Sequence, residues 1–398
     1  MNYKSKIVIT SVISVVVTFF FTSALFLTLG SGILVDYITD GGEASNALLS
    51  EVKMYIEKLY IGDVDENELY YGAAKGMAEA TGDPYTRYYS PKEFEDYMES
   101  ATGEYVGVGI VISADPDKNE IIVVLPYEDA PGAKAGILPG DIITAVDGVS
   151  YGSDTDAAAD AMRGANLQNP AGTQVTLTIK RDGKEEFDAV LTREQIHLKT
   201  AASKMLEGDI GYMRLISFDA DTDEEVEAEL NSLINSGMKK LILDLRDNGG
   251  GDFNTCIRVA GKFLDEGKLV VYTQDKNGKR EDFYAEGKMT DCELILLING
   301  DTASASEVLT GALSGNNRVK SVIGTKSFGK GITQNVFSLK NGGGMSVTVD
   351  RYFTPTGECI HEKGIMPDTV IESGSDAPST TLSYDEDLQL QKAVEMFR

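Results

Sequence analysis

The hydrophobic pattern of this chain changes period several times. Residues 7–29, IVITSVISVVVTFFFTSALFLTL, run 23 positions without a charge behind Lys4 and Lys6. About 20 helical residues cross a bilayer, whereas a signal-peptide core is shorter, roughly 7–15. The pattern predicts an uncleaved membrane anchor, lysines on the cytoplasmic side, and an extracytoplasmic chain from about Asp36 onward. Residues 44–59 carry Leu48, Leu49, Val52, Tyr55, Ile56 and Leu59 at helical spacing. A second helical stretch, 66–80, ends in the turn-rich TGDPYTRYYSP.

From GEYVGVGIVI (103–112) the texture becomes β-like, with runs at 121–126, 141–146 and 174–181 separated by Gly/Asp turns. This predicts one compact β-rich module, followed by a linker-like stretch, 192–204. Strands at 210–216, 240–245 and 294–298 then alternate with helices at 223–236, 255–264 and 305–313. Such alternation predicts an α/β core with parallel strand pairs. Late β structure at 342–352 and a terminal helix at 387–397 complete the reading. The expected organisation is a cytoplasmic tip (1–6), an anchor (7–29), a helical segment (40–100), the β-rich module (101–193), the α/β core (194–385) and a C-terminal helix (386–398).

Composition narrows the chemistry. The 398 residues carry 63 acidic and 36 basic side chains, a net charge of −27, which repels phosphate backbones and argues against a nucleic-acid partner. Cys256, Cys292 and Cys359 show no CxxC spacing, so neither a cysteine zinc site nor a disulfide framework is expected, and Cys256 and Cys292 read as core positions. Two acidic runs imitate calcium loops. Asp219-Ala-Asp221-Thr-Asp223 has Glu224 at the sixth place and Leu230 at the twelfth, where Gly and Glu are required; Asp115-Pro-Asp117-Lys-Asn119 fails likewise. They read as a helix start and a hairpin turn. GTKSFGKG (324–331) nearly matches a phosphate-binding loop, but Gly331 stands where the magnesium-holding Ser or Thr belongs.

The remaining chemistry centres on NGDTASASEVLT (299–310), which follows the buried-strand pattern LILLI. Ser304 with Glu307 three residues on is a capping box, and a helix N-terminus also offers backbone N–H groups to an oxyanion. The two histidines, His197 and His361, lie apart and neither sits in a triad pattern. A buried lysine can replace histidine as the base if its pKa falls from ~10.4 toward ~7–8, which costs about 4 kcal/mol. Lys330 stands between glycines in SFGKGITQ, and in a strand it would share a face with Ile332 and Gln334.

TASASEV followed by SFGKGITQ resembles the Ser–Lys signature of the C-terminal processing peptidases, the tail-specific proteases. DLRDNGGG (244–251) resembles that family's DLRxNPGG turn, with Gly249 where proline is common. YVGVGI resembles the carboxylate-binding loop of a PDZ domain, and PGAKAGILPGDIITAVDG resembles the segment that follows it. The resemblance implies a crotonase/Clp-protease-like α/β protease core of mixed sheet and helices, with an inserted PDZ domain behind the N-terminal transmembrane helix. It implies Ser304 as nucleophile, Lys330 as base and Gln334 in support. The oxyanion hole maps to N–H groups of Gly250 and Ala305, with the choice between Gly250 and Gly251 left open. Gly107, Val108, Gly109 and Ile110 would bind a peptide carboxylate, and Arg163 would link PDZ position to activation. No metal or organic cofactor is implied. The expected partners are protein C-termini, a second copy in a homodimer, and the membrane. A catalytically latent PDZ scaffold is the alternative.

Overall fold

The computed structural model describes residues 42–102, 104–127, 129–165, 167, 170–374, 379 and 382–398. The expected anchor, 7–29, and the tip before it lie outside these. Among the described residues no helix is long and apolar enough to cross a membrane. The chain divides into Met1–Met77 and Ala78–Arg398. In the first unit the helix Gly42–Leu59 keeps Leu48, Leu49, Val52 and Tyr55 exposed.

The centre of the second unit is a six-stranded sheet. Its order is Thr369–Val370, Ser321–Gly324, Glu293–Ile298, Lys240–Asp244, Ile210–Leu215 and Ala201–Met205. All neighbours run parallel except the last pair. Parallel strands buried on both faces read as continuous apolar runs, and the two faces separate by residue parity. Leu243, Leu294 and Leu296 face the helices Thr222–Asn235, Phe253–Gly261 and Ala305–Gly315. Ile242, Ile295 and Leu297 face the terminal helix Leu388–Phe397, which lays Leu390, Ala393, Val394 and Phe397 on them.

A second, antiparallel sheet joins Ile332–Ser338, Gly344–Phe353, Arg87–Tyr89, Leu269–Asp275 and Arg280–Tyr284. The hairpin Leu269–Asp275/Arg280–Tyr284 was not anticipated from the pattern. Its turn is set by Asp275, whose carboxylate accepts from the N–H groups of Asn277 and Lys279, both at 2.8 Å.

The β-rich module is an antiparallel sheet in chain order, Ile110–Asp115, Glu120–Pro126, Ile142–Val146, Gln174–Lys180 and Phe187–Thr192, with the helix Thr155–Arg163 packed on it. The stretch expected as a linker is structured. Glu194–His197 pairs antiparallel with Glu104–Gly107, and Ala201–Met205 forms the edge of the central sheet. Short period-two runs between polar residues carry too little hydrophobicity to announce themselves as strands. The chain thus enters and leaves the module through one two-stranded ribbon.

Candidate active site

Ser304 sits where the strand Glu293–Ile298 has turned into the helix Ala305–Gly315. Its backbone is at φ +56°, ψ −118°, a conformation that costs a non-glycine residue about 1–3 kcal/mol. The turn is tied down on all sides. Thr302 Oγ1 donates to the Leu245 carbonyl at 2.8 Å, and the Ala303 N–H to the Asn248 carbonyl at 3.0 Å. The Ser304 N–H donates to the Glu307 carboxylate at 3.0 Å, one half of the expected capping box. Ser306 is fully buried, and its hydroxyl has no hydrogen-bond partner among the described residues.

Glu307 is the residue whose role the sequence pattern understated. It is fully buried, and besides Ser304 it accepts from Ser327 Oγ at 2.5 Å, the Gly329 N–H at 2.7 Å and the Lys330 N–H at 2.8 Å. A buried carboxylate is tolerated only when it is fully hydrogen-bonded. Here those bonds join the Ser304 turn to the Lys330 loop.

Lys330 precedes the strand Ile332–Ser338, and a register shift falls between Thr333 and Gln334. The extra residue at that shift, Val349, lies in the partner strand Gly344–Phe353. Lys330, Ile332 and Gln334 line one cleft of about 740 Å³ together with Ser304, Gly250, Ala305 and Tyr352. The Lys330 Nζ lies over the Tyr85 ring, 4.7 Å from its centroid. Its pKa is lowered from the ordinary lysine value, first by burial and then by the cation Arg87, against an opposing pull from Asp83.

Tyr352 was not singled out by its sequence context either. It is 2% exposed, its hydroxyl donates to the Lys330 carbonyl, and it lies beside Ser304 in the same cleft. Burial, followed by the nearby Glu307 charge, raises its pKa well above the usual phenol value. Tyr352 therefore stays a neutral donor.

The DLRDNGGG turn meets Ser304 directly. Gly250 is at φ +101°, and a Cβ there would fall 2.8 Å from Ala305 N and 2.8 Å from Ser304 Cβ. The Gly250 N–H donates to Asn248 Oδ1 at 2.9 Å, while the Ala305 N–H is the first of its helix, one of the donors left without an intrahelical partner. Gly251 lies against Phe218, where a Cβ would come 2.2 Å from the carbonyl oxygen.

In the module, the Val108 and Gly109 carbonyls accept from the N–H groups of Gly132 (2.8 Å) and Tyr127 (2.9 Å). Because both peptide planes are trans, the N–H groups of Gly109 and Ile110 point the opposite way. The strand Ile110–Asp115 is an edge of its sheet, so these donors lie beside an edge to which a peptide strand can add. Gly107 and Val108 are buried at the start of this loop. Arg163 ends the helix Thr155–Arg163 and lies over the Tyr105 ring at 5.3 Å. Beneath that helix, the buried Arg193 donates to the carbonyls of Ala161 and Met162 at 2.9 and 2.8 Å, fixing its C-terminus. Neither histidine lines this cleft: His197 pairs with Glu225 at 2.8 Å, and His361 lines an adjoining cavity of about 920 Å³ that shares Ile332 and Asp350 with it.

A serine on a strained helix cap, a half-buried lysine in the same cleft and an inserted peptide-binding module define a serine peptidase with its own recognition domain. Comparison with known proteins gives the same class. The profile of peptidase family S41 matches residues 209–371, and that of a PDZ domain matches residues 122–181. A carboxyl-terminal-processing protease of Synechocystis is 38% identical over 310 residues, covering 76% of this chain and 71% of the relative. A carboxy-terminal-processing protease of Bartonella bacilliformis is 36% identical over 365 residues, covering 89% and 82%. A solved structure from Bacteroides fragilis described as an S41 protease shares the fold, with a TM-score of 0.54 at 13% identity, covering 86% of this chain and 94% of that one. The chain belongs to peptidase family S41 and, within it, to the carboxyl-terminal-processing serine proteases.

Proposed function

We propose that this protein is a membrane-anchored endopeptidase that cleaves extracytoplasmic proteins with a Ser304–Lys330 dyad. The observation that carries the reading is the shared cleft, in which Ser304 at a helix N-terminus meets a lysine whose pKa is depressed by burial. Neutral Lys330 takes the Ser304 proton as Oγ bonds to the scissile carbonyl carbon. The oxyanion is received by the Ala305 N–H and by the 248–251 turn, where Gly250 or Gly251 supplies the second donor. Lys330 returns the proton to the leaving amine as the C–N bond breaks, and water then hydrolyses the acyl-enzyme. Gln334 orients the lysine without adding charge.

Two features describe a resting state that substrate must convert. Lys330 Nζ lies on the Tyr85 ring, and abstraction requires it within about 3 Å of the Ser304 oxygen. Gly250 N–H is held by Asn248, so its use as an oxyanion donor requires that bond to be exchanged. The PDZ domain selects substrates by their C-termini and gates this conversion, with Arg163 at the ribbon that joins the domain to the core. Support for the anchor is the uncharged run 7–29 behind Lys4 and Lys6. Support for a homodimer is the exposed apolar set on Gly42–Leu59.

Ser304→Ala and Lys330→Ala are each expected to abolish peptide cleavage in a folded protein. Lys330→Arg is expected to be equally inactive, since a guanidinium does not release its proton. Substantial turnover by any of the three overturns the dyad. N-terminomics on cells carrying wild-type or Ser304→Ala protein identifies the substrates.

A further inference from the structure

The turn that presents Gly250 is held in place by the end of the chain. Arg246 is buried, and all five of its guanidinium N–H donors are used. Nε and Nη2 bond Asp244 at 2.9 and 2.6 Å, Nη1 and Nη2 bond Asp387 at 2.8 Å each, and Nη1 also bonds Gln389 at 3.0 Å. The next residue, Asp247, is at φ +61°. Its carboxylate accepts from the N–H and Oγ of Ser379 at 3.0 and 2.6 Å, from Arg214 at 3.0 Å and from Asn299 at 2.6 Å. Asp387 in turn caps the helix Leu388–Phe397 through the Leu390 N–H at 2.9 Å, and Gln389 is fixed by donating to the Ile371 carbonyl at 2.7 Å.

Arg246 and Asp247 immediately precede Asn248 and three glycines. Those glycines have no side chains with which to fix their own position. An oxyanion donor works only when held to within tenths of an ångström of the developing charge. The position of the turn must therefore come from its flanks. One flank bonds the nucleophile's own turn, through Asn299, Thr302 and Ala303. The other bonds residues 132 to 143 positions further along the chain.

We infer that Ser379, Asp387 and Gln389 are positioning residues for the 248–251 turn, acting through Arg246 and Asp247. The C-terminal segment thereby completes the transition-state half of the active site. This rests on the reading of that turn as the oxyanion site.

The test uses full-length Asp387→Asn and Ser379→Ala, with Ser304→Ala as control. It measures kcat and KM on a peptide substrate, and affinity for a peptide aldehyde, whose hemiacetal carries the oxyanion. Asp387→Asn is expected to lose kcat by about tenfold or more, with KM within about twofold. Aldehyde affinity is expected to weaken by the same factor, with Ser379→Ala showing a smaller parallel loss. A folded Asp387→Asn with parental kcat and aldehyde affinity, or a loss confined to KM, overturns the inference. Should Asp387→Asn fail to fold, Ser379→Ala, which leaves the buried arginine pair intact, decides on the same readouts. Activity retained in Ser304→Ala would overturn the dyad itself. An inactive Ser304→Ala beside normal C-terminal variants overturns only the present inference.

Discussion

One oxygen of the Glu307 carboxylate accepts the Lys330 N–H at 2.8 Å, and the same oxygen accepts the Ser304 N–H at 3.0 Å. Ser304 and Lys330, 26 residues apart in sequence, are thus located from a single buried atom. Replacing that carboxylate with an amide turns an NH2 group toward donors on at least one side. Hydrogen bonds to a charged group are worth about 1.5–3 kcal/mol each. Glu307→Gln is expected to lower the Tm by several degrees and kcat at least about tenfold. A variant matching the parent in thermal melts and in turnover would remove Glu307 from the site's architecture.

Tyr352→Phe deletes one oxygen and keeps the buried ring. The bond to the Lys330 carbonyl and the contact with Ser304 are lost together. Turnover should fall several-fold with KM little changed, since the hydroxyl orients catalytic groups more than it binds substrate. Steady-state kinetics check this, and an unchanged kcat would show that the hydroxyl serves packing alone.

Activity should rise with pH as Lys330 loses its proton. Because its pKa is lowered in the fold, the midpoint of that rise in kcat/KM lies below the ordinary lysine value. Removing the repelling cation in Arg87→Gln should raise the lysine pKa and move the midpoint to higher pH. Removing the attracting anion in Asp83→Asn should move it to lower pH. Shifts in the same direction, or no shift in either variant, would contradict the electrostatic account.

Gly250→Ala places a methyl group 2.8 Å from Ser304 Cβ and from two backbone atoms, at a φ of +101° that alanine resists. The clash falls on the turn that carries Ser304. The expected outcome is loss of most peptidase activity, while peptide binding to the PDZ domain persists. Near-parental turnover would mean that the turn and the serine are less closely coupled than their contact implies.

In the PDZ domain, Gly109→Ala would bring Cβ within 2.2 Å of Ala130 Cβ at φ +65°. The loop must shift, and the N–H groups of Gly109 and Ile110 shift with it. Fluorescence anisotropy with a labelled C-terminal peptide should show weakened binding, and amidation of that peptide's carboxylate should weaken binding to the parent protein. Equal affinity for the free and amidated peptide would place recognition elsewhere.

The α/β core was legible because its strands are buried on both faces: LILLI and KLILD can be little else, and the helices between them carry regular apolar stripes. The antiparallel sheet was less legible, since strands such as Arg280–Tyr284 expose most of their side chains and bear charges. Ser304, Lys330 and Gln334 could be named from local motifs. Glu307 was visible only as a capping residue, because three of its four bonds come from a loop some 20 positions on. Tyr352 gave no local signal: its importance arises where two sheet-borne segments meet. Arg246 and Asp387 lie 141 residues apart, and no periodicity reports such a pair.

The ribbon that pairs Glu104 with His197 brings the start and the finish of the recognition domain onto adjacent strands. Neighbouring strands lie roughly 5 Å apart. Everything between can accordingly be exchanged while the peptidase sees the same two anchorage points, a few ångströms from one another. The reader can then be exchanged, provided that the incoming domain keeps the contact Arg163 makes with Tyr105 of the ribbon, through which gating is proposed to act. Insertions with close ends are the kind that folds tolerate best. For protein engineering, this junction is the natural place to fit a different peptide-binding domain and redirect the enzyme to a chosen tail.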